Sequence, residues 1–117
     1  MLPLLRRSPA PRIVNVSSGV GSLTRQSTPG AETGPLAVAY SPSKSFVNAV
    51  TVQYAKELQD TNILINAACP GFVATDLNGF RGTRTPKQGA ATPIRLATLP
   101  GGGPTGGFFE DAGTIPW

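Results

Sequence analysis

A tyrosine and a lysine in this sequence have a spacing that suits acid–base chemistry: Tyr40 and Lys44 lie four positions apart. On a helix, residues at this spacing share one face and lie one turn apart. A phenol with its ordinary pKa of about 10 exchanges protons poorly at neutral pH, but an ammonium group within roughly 4–6 Å favours the phenolate. The pair therefore indicates a general acid or base that needs no histidine. The same spacing is common among surface residues, so the pair alone does not define a site.

Two further segments carry groups that could bind a substrate. Ser17 ends the apolar segment 12–17 and Ser18 follows it. The apolar segment 62–69 is followed by the loop 70–75, which begins with Pro-Gly. Open α/β sheets bind ligands at the carboxyl ends of parallel strands, so a serine there could donate a hydrogen bond to a substrate carbonyl. The second loop could hold a flat amide ring and a phosphate. The alternative is that both segments are ordinary turns.

Composition narrows the chemistry that is available to the chain. The 117 residues include one cysteine, Cys69, and no histidine. An internal disulfide is excluded, and neither a zinc site nor a histidine-based triad is expected. We interpret Cys69 as a core residue, because no neighbouring base would activate its thiol. A hydrophobic share of 39% suffices for the core of one domain, and the 14 glycines and 12 prolines predict many turns.

The charge of the chain is basic but dispersed. The net charge is +4, and the basic residues lack interleaved aromatic residues, which favours solvated charge or an anionic cofactor over a nucleic-acid partner. No apolar run reaches about 18 residues, and the basic residues follow the apolar start of the chain. We therefore expect no membrane span, no secretory signal and a cytoplasmic location.

Three short apolar segments predict the strands of a small sheet: residues 12–17, 62–69 and 105–110. The first two are apolar on both faces and are separated by a long helix, which is typical of parallel strands joined by a right-handed crossover. Residues 22–39, rich in Ser, Thr, Gly and Pro, are predicted to be a loop. The predicted fold class is α/β, with the elements in the order βαβαβ.

The first predicted helix begins with Ser41 as its N-cap and extends to about Gln59. Apolar residues at helical spacing should face the core. They are Phe46, Val47, Val50, Tyr54 and Leu58. A row of smaller residues suits close packing against another helix. This row is Ala49, Val52 and Ala55.

The second predicted helix extends from Pro86 to about Thr98. Thr85 and Gln88 have the spacing of a capping box, and proline is favoured at the first helical position. Pro93 lies inside this helix and should bend it, because proline removes one backbone hydrogen bond.

Three segments, taken together, resemble the short-chain dehydrogenase/reductase family, and in particular its carbonyl-reductase-like branch. The segments are Arg12-Ile-Val-Asn-Val-Ser-Ser-Gly19, Ala39-Tyr-Ser-Pro-Ser-Lys44 and Asn66-Ala-Ala-Cys-Pro-Gly-Phe-Val-Ala-Thr75. The resemblance implies a partial Rossmann-like, doubly wound parallel sheet. It also implies hydride transfer between a nicotinamide cofactor, NAD or NADP, and a carbonyl or alcohol substrate.

The resemblance implies a role for individual residues. Ser18 would orient the substrate carbonyl, and it is preferred to Ser17 because a glycine turn follows it. Tyr40 would be the acid or base, and Lys44 would assist it and bind the nicotinamide ribose. The residues that would bind the cofactor are Tyr40, Lys44, Pro70, Gly71, Val73 and Thr75. For Val73, simple packing is the alternative.

The chain departs from the family pattern in one large respect. The family's glycine-rich phosphate loop is not found, because Gly19-Val20-Gly21 and the glycines near the end of the chain precede no suitable helix. The family's active-site asparagine, on the helix before the serine strand, is not found either. Residues 1–5 resemble the last turn of the helix that precedes the serine strand in the family. We therefore expect a single partial domain, residues 1–117, that corresponds to the carboxyl-terminal, catalytic half, with no adenosine site and no turnover alone. NADP is slightly favoured over NAD by the resemblance.

Two other functions stay open. The chain could be a non-catalytic, self-associating module, since the strand 12–17 would form an unpaired sheet edge. A homo-oligomer is expected on this ground and from the row of small helical residues. The third function, a basic anion-binding or nucleic-acid-binding domain, has only the net charge in its favour.

Overall fold

The computed structural model describes residues 1–31 and 34–117. The helices are α1 (Leu2–Leu5), α2 (Leu23–Ser27), α3 (Tyr40–Glu57) and α4 (Pro86–Ala97), and the strands are β1 (Arg12–Val16), β2 (Leu64–Ala68), β3 (Phe108–Glu110) and β4 (Gly113–Thr114). Short 3₁₀ turns follow β1 and β2, at Gly19–Gly21 and Asp76–Asn78. No helix in these described ranges is long and apolar enough to cross a membrane.

The four strands form one sheet in the order β1-β2-β3-β4. β1 pairs with β2 in parallel from Arg12↔Leu64 to Val16↔Ala68, and β2 pairs with β3 in parallel. This arrangement confirms the predicted α/β fold with three parallel strands. The short antiparallel strand β4, which pairs with β3, was not predicted. Two residues are too few to give an alternating pattern.

Helices cover both faces of the sheet. Asn15 of β1 donates a hydrogen bond to Thr51 of α3 (2.9 Å), whereas its neighbour Val14 packs against the cluster that contains Leu96 of α4. Adjacent residues of a strand point to opposite faces, so α3 and α4 lie on opposite sides. All five residues of β2 are buried. The buried strand β2 therefore forms the centre of the core, and β1 and β2 each end in a loop at the same edge of the sheet.

The predicted orientation of α3 is wrong in part. Its buried positions are Asn48 and Thr51, whereas Phe46 is 70% exposed and Tyr54 is 43% exposed. Of the predicted apolar stripe, Leu58 just beyond the helix is fully buried. The helix turns these polar residues inwards because β1 and the turn that follows it offer them hydrogen-bond partners, which removes the cost of burying them.

The helix termini show which capping signals act. α3 begins at Tyr40 with Ala39 as N-cap, so the prediction that Ser41 caps it is wrong. The capping box of α4 is confirmed. The backbone N–H of Gln88 donates to the Thr85 hydroxyl (3.2 Å), and the backbone N–H of Thr85 donates to Oε1 of Gln88 (2.8 Å). This box satisfies two of the amides that a helix start leaves without partners.

The prediction that residues 22–39 form only a loop is also wrong in part. The five-residue helix α2 begins after Ser22, whose hydroxyl accepts the amide of Arg25 (3.1 Å). The same hydroxyl donates to the carbonyl of Pro116 (2.6 Å), so a long-range contact supports this short helix. The predicted loop includes Glu32 and Thr33, which lie outside the described residues.

Candidate active site

The loops that follow β1 and β2 lie side by side at the carboxyl ends of these strands. We call residues 17–21 the serine turn and residues 70–85 the second loop. The Ser17 amide donates to the carbonyl of Ala68 (2.8 Å), and the Gly19 amide donates to Sγ of Cys69 (3.2 Å). The free thiol of Cys69 is buried and serves as an acceptor between the loops.

Tyr40 and Lys44 meet the end of β1 through the lysine. The Lys44 ammonium donates to the carbonyl of Val16, with Nζ 3.0 Å from the oxygen. The same Nζ lies 5.6 Å from the centroid of the Tyr40 ring, within the range of a cation–π interaction. The Tyr40 side chain is about half exposed. One cation therefore lies next to the phenol and next to the strand that ends in the two serines.

The two serines have different surroundings. Ser17 is buried, and its hydroxyl donates to Oδ1 of Asn48 (2.6 Å). Ser18 is partly exposed and has an extended backbone, which directs its side chain away from that of Ser17. The Ser17 hydroxyl is thus used in a buried hydrogen bond, and Ser18 is the more accessible of the two serines.

The serine turn approaches α3 too closely for any side chain at Gly21. A Cβ atom on Gly21 would lie 2.8 Å from the backbone carbon and from the Cβ atom of Lys44. The carbonyl of Gly21 accepts hydrogen bonds from the Ser45 hydroxyl (3.0 Å) and from Nδ2 of Asn48 (3.1 Å). The glycine therefore lets the turn rest directly on the helix that carries Tyr40 and Lys44.

The second loop contains the other predicted binding residues. Gly71 is exposed and has a φ of 75°, a left-handed conformation that favours glycine. Val73 is partly buried against Gly89 of α4, so packing accounts for part of its environment. Thr75 is the N-cap residue of the 3₁₀ turn, and its amide donates to Oδ1 of Asn78 (3.3 Å).

Charged side chains fix the second loop to the end of β3. Arg84 forms an ion pair with Asp111, and the Thr92 hydroxyl donates to the same carboxylate (2.6 Å). The Thr92 hydrogen bond, with the Arg84 guanidinium beside it, lowers the pKa of Asp111 below its ordinary value. On the serine-turn side, Arg25 pairs with Glu110 (2.7 Å), which raises the pKa of Arg25.

A small cavity of about 240 Å³ lies where these ion pairs meet the second loop. Its lining residues are Cys69, Gly71, Arg84, Glu110, Asp111 and Ala112. In the part of the chain that the structure describes, no group of three His, Cys, Asp or Glu residues could hold a metal ion.

Sequence reasoning missed one residue at the centre of this arrangement, Asn48. It lies one helical turn beyond Lys44, which itself lies one turn beyond Tyr40. The four-residue spacing that drew attention to the first pair extends to Asn48 and could have identified it. The structure brings Ser17, Lys44 and Asn48 together directly.

Comparison with known proteins gives the family of the chain. The model of the family described as short chain dehydrogenase matches residues 1–85. The chain belongs to the short-chain dehydrogenase family. The resemblance predicted from the three segments is thereby confirmed, and so is the Rossmann-like sheet, since the solved structures of this family that match the chain share its fold.

The relatives show how much of a family member the chain covers. It is 38% identical to "Short-chain dehydrogenase/reductase 1" of Saponaria officinalis, over all of this chain and 49% of that protein. It is 42% identical to "Carbonyl reductase [NADPH] 1" of Rattus norvegicus, over 68% of this chain and 31% of that protein. The structure of salutaridine reductase from Papaver somniferum aligns with a TM-score of 0.77 at 30% identity, over 94% of this chain and 48% of that one. The chain thus spans about half the length of these relatives or less.

Proposed function

We propose that this chain carries the catalytic part of an NADP(H)-dependent oxidoreductase that interconverts a carbonyl and an alcohol. The observation that carries the proposal is the position of the Lys44 ammonium, which binds the Val16 carbonyl and lies 5.6 Å from the centroid of the Tyr40 ring. It joins the phenol to the end of β1, which leads into the serine turn that carries Ser18. The similarity to a rat protein named as an NADPH carbonyl reductase supports the choice of cofactor and reaction.

Each residue of the site has a distinct task in this proposal. Tyr40 donates its phenolic proton to the carbonyl oxygen as the alcohol forms, and takes a proton in the reverse direction. The positive charge of Lys44 stabilises the phenolate that is left. Ser18 donates a hydrogen bond to the same carbonyl oxygen and so fixes the orientation of the substrate.

The groups present suit the nicotinamide end of the cofactor. A lysine ammonium has three N–H donors, and within residues 1–31 and 34–117 Lys44 uses one of them, on Val16. The other two can bind ribose hydroxyls. Pro70, Gly71, Val73 and Thr75 of the second loop would line the nicotinamide ring. When bound, the nicotinamide supplies or accepts the hydride.

The test compares Tyr40→Phe with Lys44→Ala. Turnover is measured as NADPH oxidation with a dicarbonyl or a quinone, in a chimera that places the unmatched part of the Saponaria officinalis relative ahead of Met1. Tyr40→Phe should lower turnover about 10²–10⁴-fold and leave NADPH affinity nearly unchanged, because only the proton donor is lost. Lys44→Ala should weaken both, since it removes a ribose contact as well as the charge beside Tyr40.

Tyr54→Phe is the matched control, because Tyr54 is a half-exposed tyrosine on the same helix. It should leave turnover unchanged. For the 117 residues alone we expect at most weak NADPH binding in calorimetry and no measurable turnover, because much of the binding energy comes from remote parts of a dinucleotide. A Tyr40→Phe chimera that retains full turnover would contradict the proposal.

A second candidate function is self-association without catalysis. In the described residues β1 is the edge of the sheet, and Phe46 and Tyr54 expose large apolar surface on α3. Such edges and faces favour pairing with another chain. Sedimentation of the purified chain should then show dimers or larger species, and a stable monomer would exclude this candidate.

A further inference from the structure

Asn48 is the one side chain that binds both ends of the serine turn within the described residues. Its Nδ2 group donates to the carbonyl of Gly21 (3.1 Å), and its Oδ1 atom accepts the hydroxyl of Ser17 (2.6 Å). The residue is only 4% exposed. Ser18 lies between these two anchor points. Both halves of the amide group are thus used on the turn that carries the proposed substrate-binding hydroxyl.

The same helix face carries the residues of the proposed proton transfer. Tyr40, Lys44 and Asn48 follow one another at intervals of four residues, so they lie in one row along α3. A helix is rigid over two turns, and the distance between Asn48 and Tyr40 is therefore fixed by its geometry. A turn that is bound to Asn48 is held in a set position relative to Tyr40.

Few other contacts can replace the two hydrogen bonds by which Asn48 bridges Ser17 and Gly21. Without Asn48, the Gly21 carbonyl would keep its hydrogen bond from Ser45 (3.0 Å), and the Ser17 hydroxyl would keep a longer contact to the carbonyl of Lys44 (3.4 Å). Buried hydrogen bonds are strong in a surrounding of low polarity, and a buried group that loses its partner is destabilised. Without Asn48, Ser17 would therefore be held less firmly than Gly21.

We infer that Asn48 is a positioning residue, which fixes the serine turn on α3 so that Ser18 faces the substrate held at Tyr40. This inference rests on the proposed function for its catalytic consequence. The two hydrogen bonds of Asn48 belong to the fold, and their effect on the serine turn can be measured without turnover.

The test compares Asn48→Leu with Thr51→Val. Thr51 is a matched control, because it is fully buried on the same helix and also binds β1, through Asn15 (2.9 Å), but does not touch the serine turn. Hydrogen exchange is followed at the amides of Gly21 and Ser22, which close the turn on Ser18 and Gly19. Asn48→Leu should speed their exchange about tenfold, whereas Thr51→Val should leave it unchanged.

Turnover gives the second readout, in the chimera described above. Asn48→Leu should lower kcat about tenfold with the KM for NADPH unchanged, because the turn orients the carbonyl and does not hold the cofactor. Ser17→Ala removes the same contact by deleting one oxygen atom, and it should reproduce both effects if the leucine variant does not fold. Ser17→Thr, which keeps the hydroxyl, should show the amide exchange and the kcat of the parent.

The two proposals fail in different ways. A parent chimera without NADPH-dependent reduction would overturn the proposed function, while hydrogen exchange would still judge the role of Asn48. Equal exchange at Gly21 in the Asn48→Leu and Thr51→Val variants would overturn the role of Asn48, whatever the turnover.

Discussion

The serine turn and the second loop lie next to each other, but different interactions hold them. The serine turn rests on α3 through two neutral hydrogen bonds to the Gly21 carbonyl, a buried one from Asn48 and a partly buried one from Ser45. The second loop is fixed to the end of β3 by a partly exposed ion pair, between Arg84 and Asp111. The hydroxyl and the cofactor-binding backbone of the proposed site are thus positioned by separate means.

This difference predicts how the two loops respond to salt and to acid. Neutral buried hydrogen bonds change little with salt, whereas ion pairs near the surface weaken with salt and with acid. The second loop should therefore loosen under conditions that leave the serine turn in place. The second loop can therefore vary in stability without disturbing Tyr40 and Lys44 on α3.

The largest effect is expected where the serine turn contacts α3. Gly21→Ala would place a Cβ atom 2.8 Å from Lys44, and overpacking of this kind costs about 1–3 kcal/mol. The free energy of unfolding, measured in urea, should fall by this amount. Gly101→Ala is the control, because a Cβ atom there meets no heavy atom within 4 Å. Equal losses for the two variants would contradict the close approach of turn and helix.

The next effect concerns acid. The pKa of Asp111 is lowered in the folded chain, so its ionised form stabilises the fold above the ordinary carboxyl value of 3.8. That contribution is lost as the pH falls below this value and towards the lowered pKa. Asp111→Asn should therefore be less stable than the parent at neutral pH, and the difference should shrink in acid. Asp60→Asn, in the exposed turn that follows α3, is the control variant in the same pH-dependent urea unfolding. Equal pH trends for the two variants would contradict the role given to the contacts of Asp111.

The smallest effect is expected at the second ion pair. Glu110→Gln removes the partner of Arg25, and both side chains are about one-third exposed. Pairs of this kind contribute about 0.2–1 kcal/mol. The loss should appear in thermal unfolding at low salt and decrease in about 1 M salt. Glu57→Gln, at the exposed end of α3, serves as the control. A loss that does not depend on salt would indicate that Glu110 acts through packing.

The sequence predicted those parts of the fold that depend on continuous apolar segments. β1 and β2 lie inside the predicted segments, and the helix between them gives the parallel pairing that was expected. The spacing of Tyr40 and Lys44 also predicted their common face. These features depend on neighbours along the chain, which a sequence shows directly.

The parts that were missed depend on partners that are distant in sequence. Asn48 and Thr51 are buried because Ser17 and Asn15 offer them hydrogen bonds, whereas Phe46, the stronger apolar residue, lies outside. Hydropathy ranks the residues of a helix one by one and cannot detect such pairs. The short helix α2 was missed for a similar reason, since Ser22 binds the carbonyl of Pro116 at the far end of the chain.

The regular interval of Tyr40, Lys44 and Asn48 has a consequence for how this protein can change in length during evolution. One residue inserted between Tyr40 and Asn48 would rotate the tyrosine by about 100° around the helix axis relative to the serine turn. A deletion would rotate it by the same angle in the other direction. Residues added between Ser27 and Ala39, ahead of the helix, would leave that angle unchanged. Length variation among homologues should therefore concentrate before Tyr40 and be absent from the next eight residues.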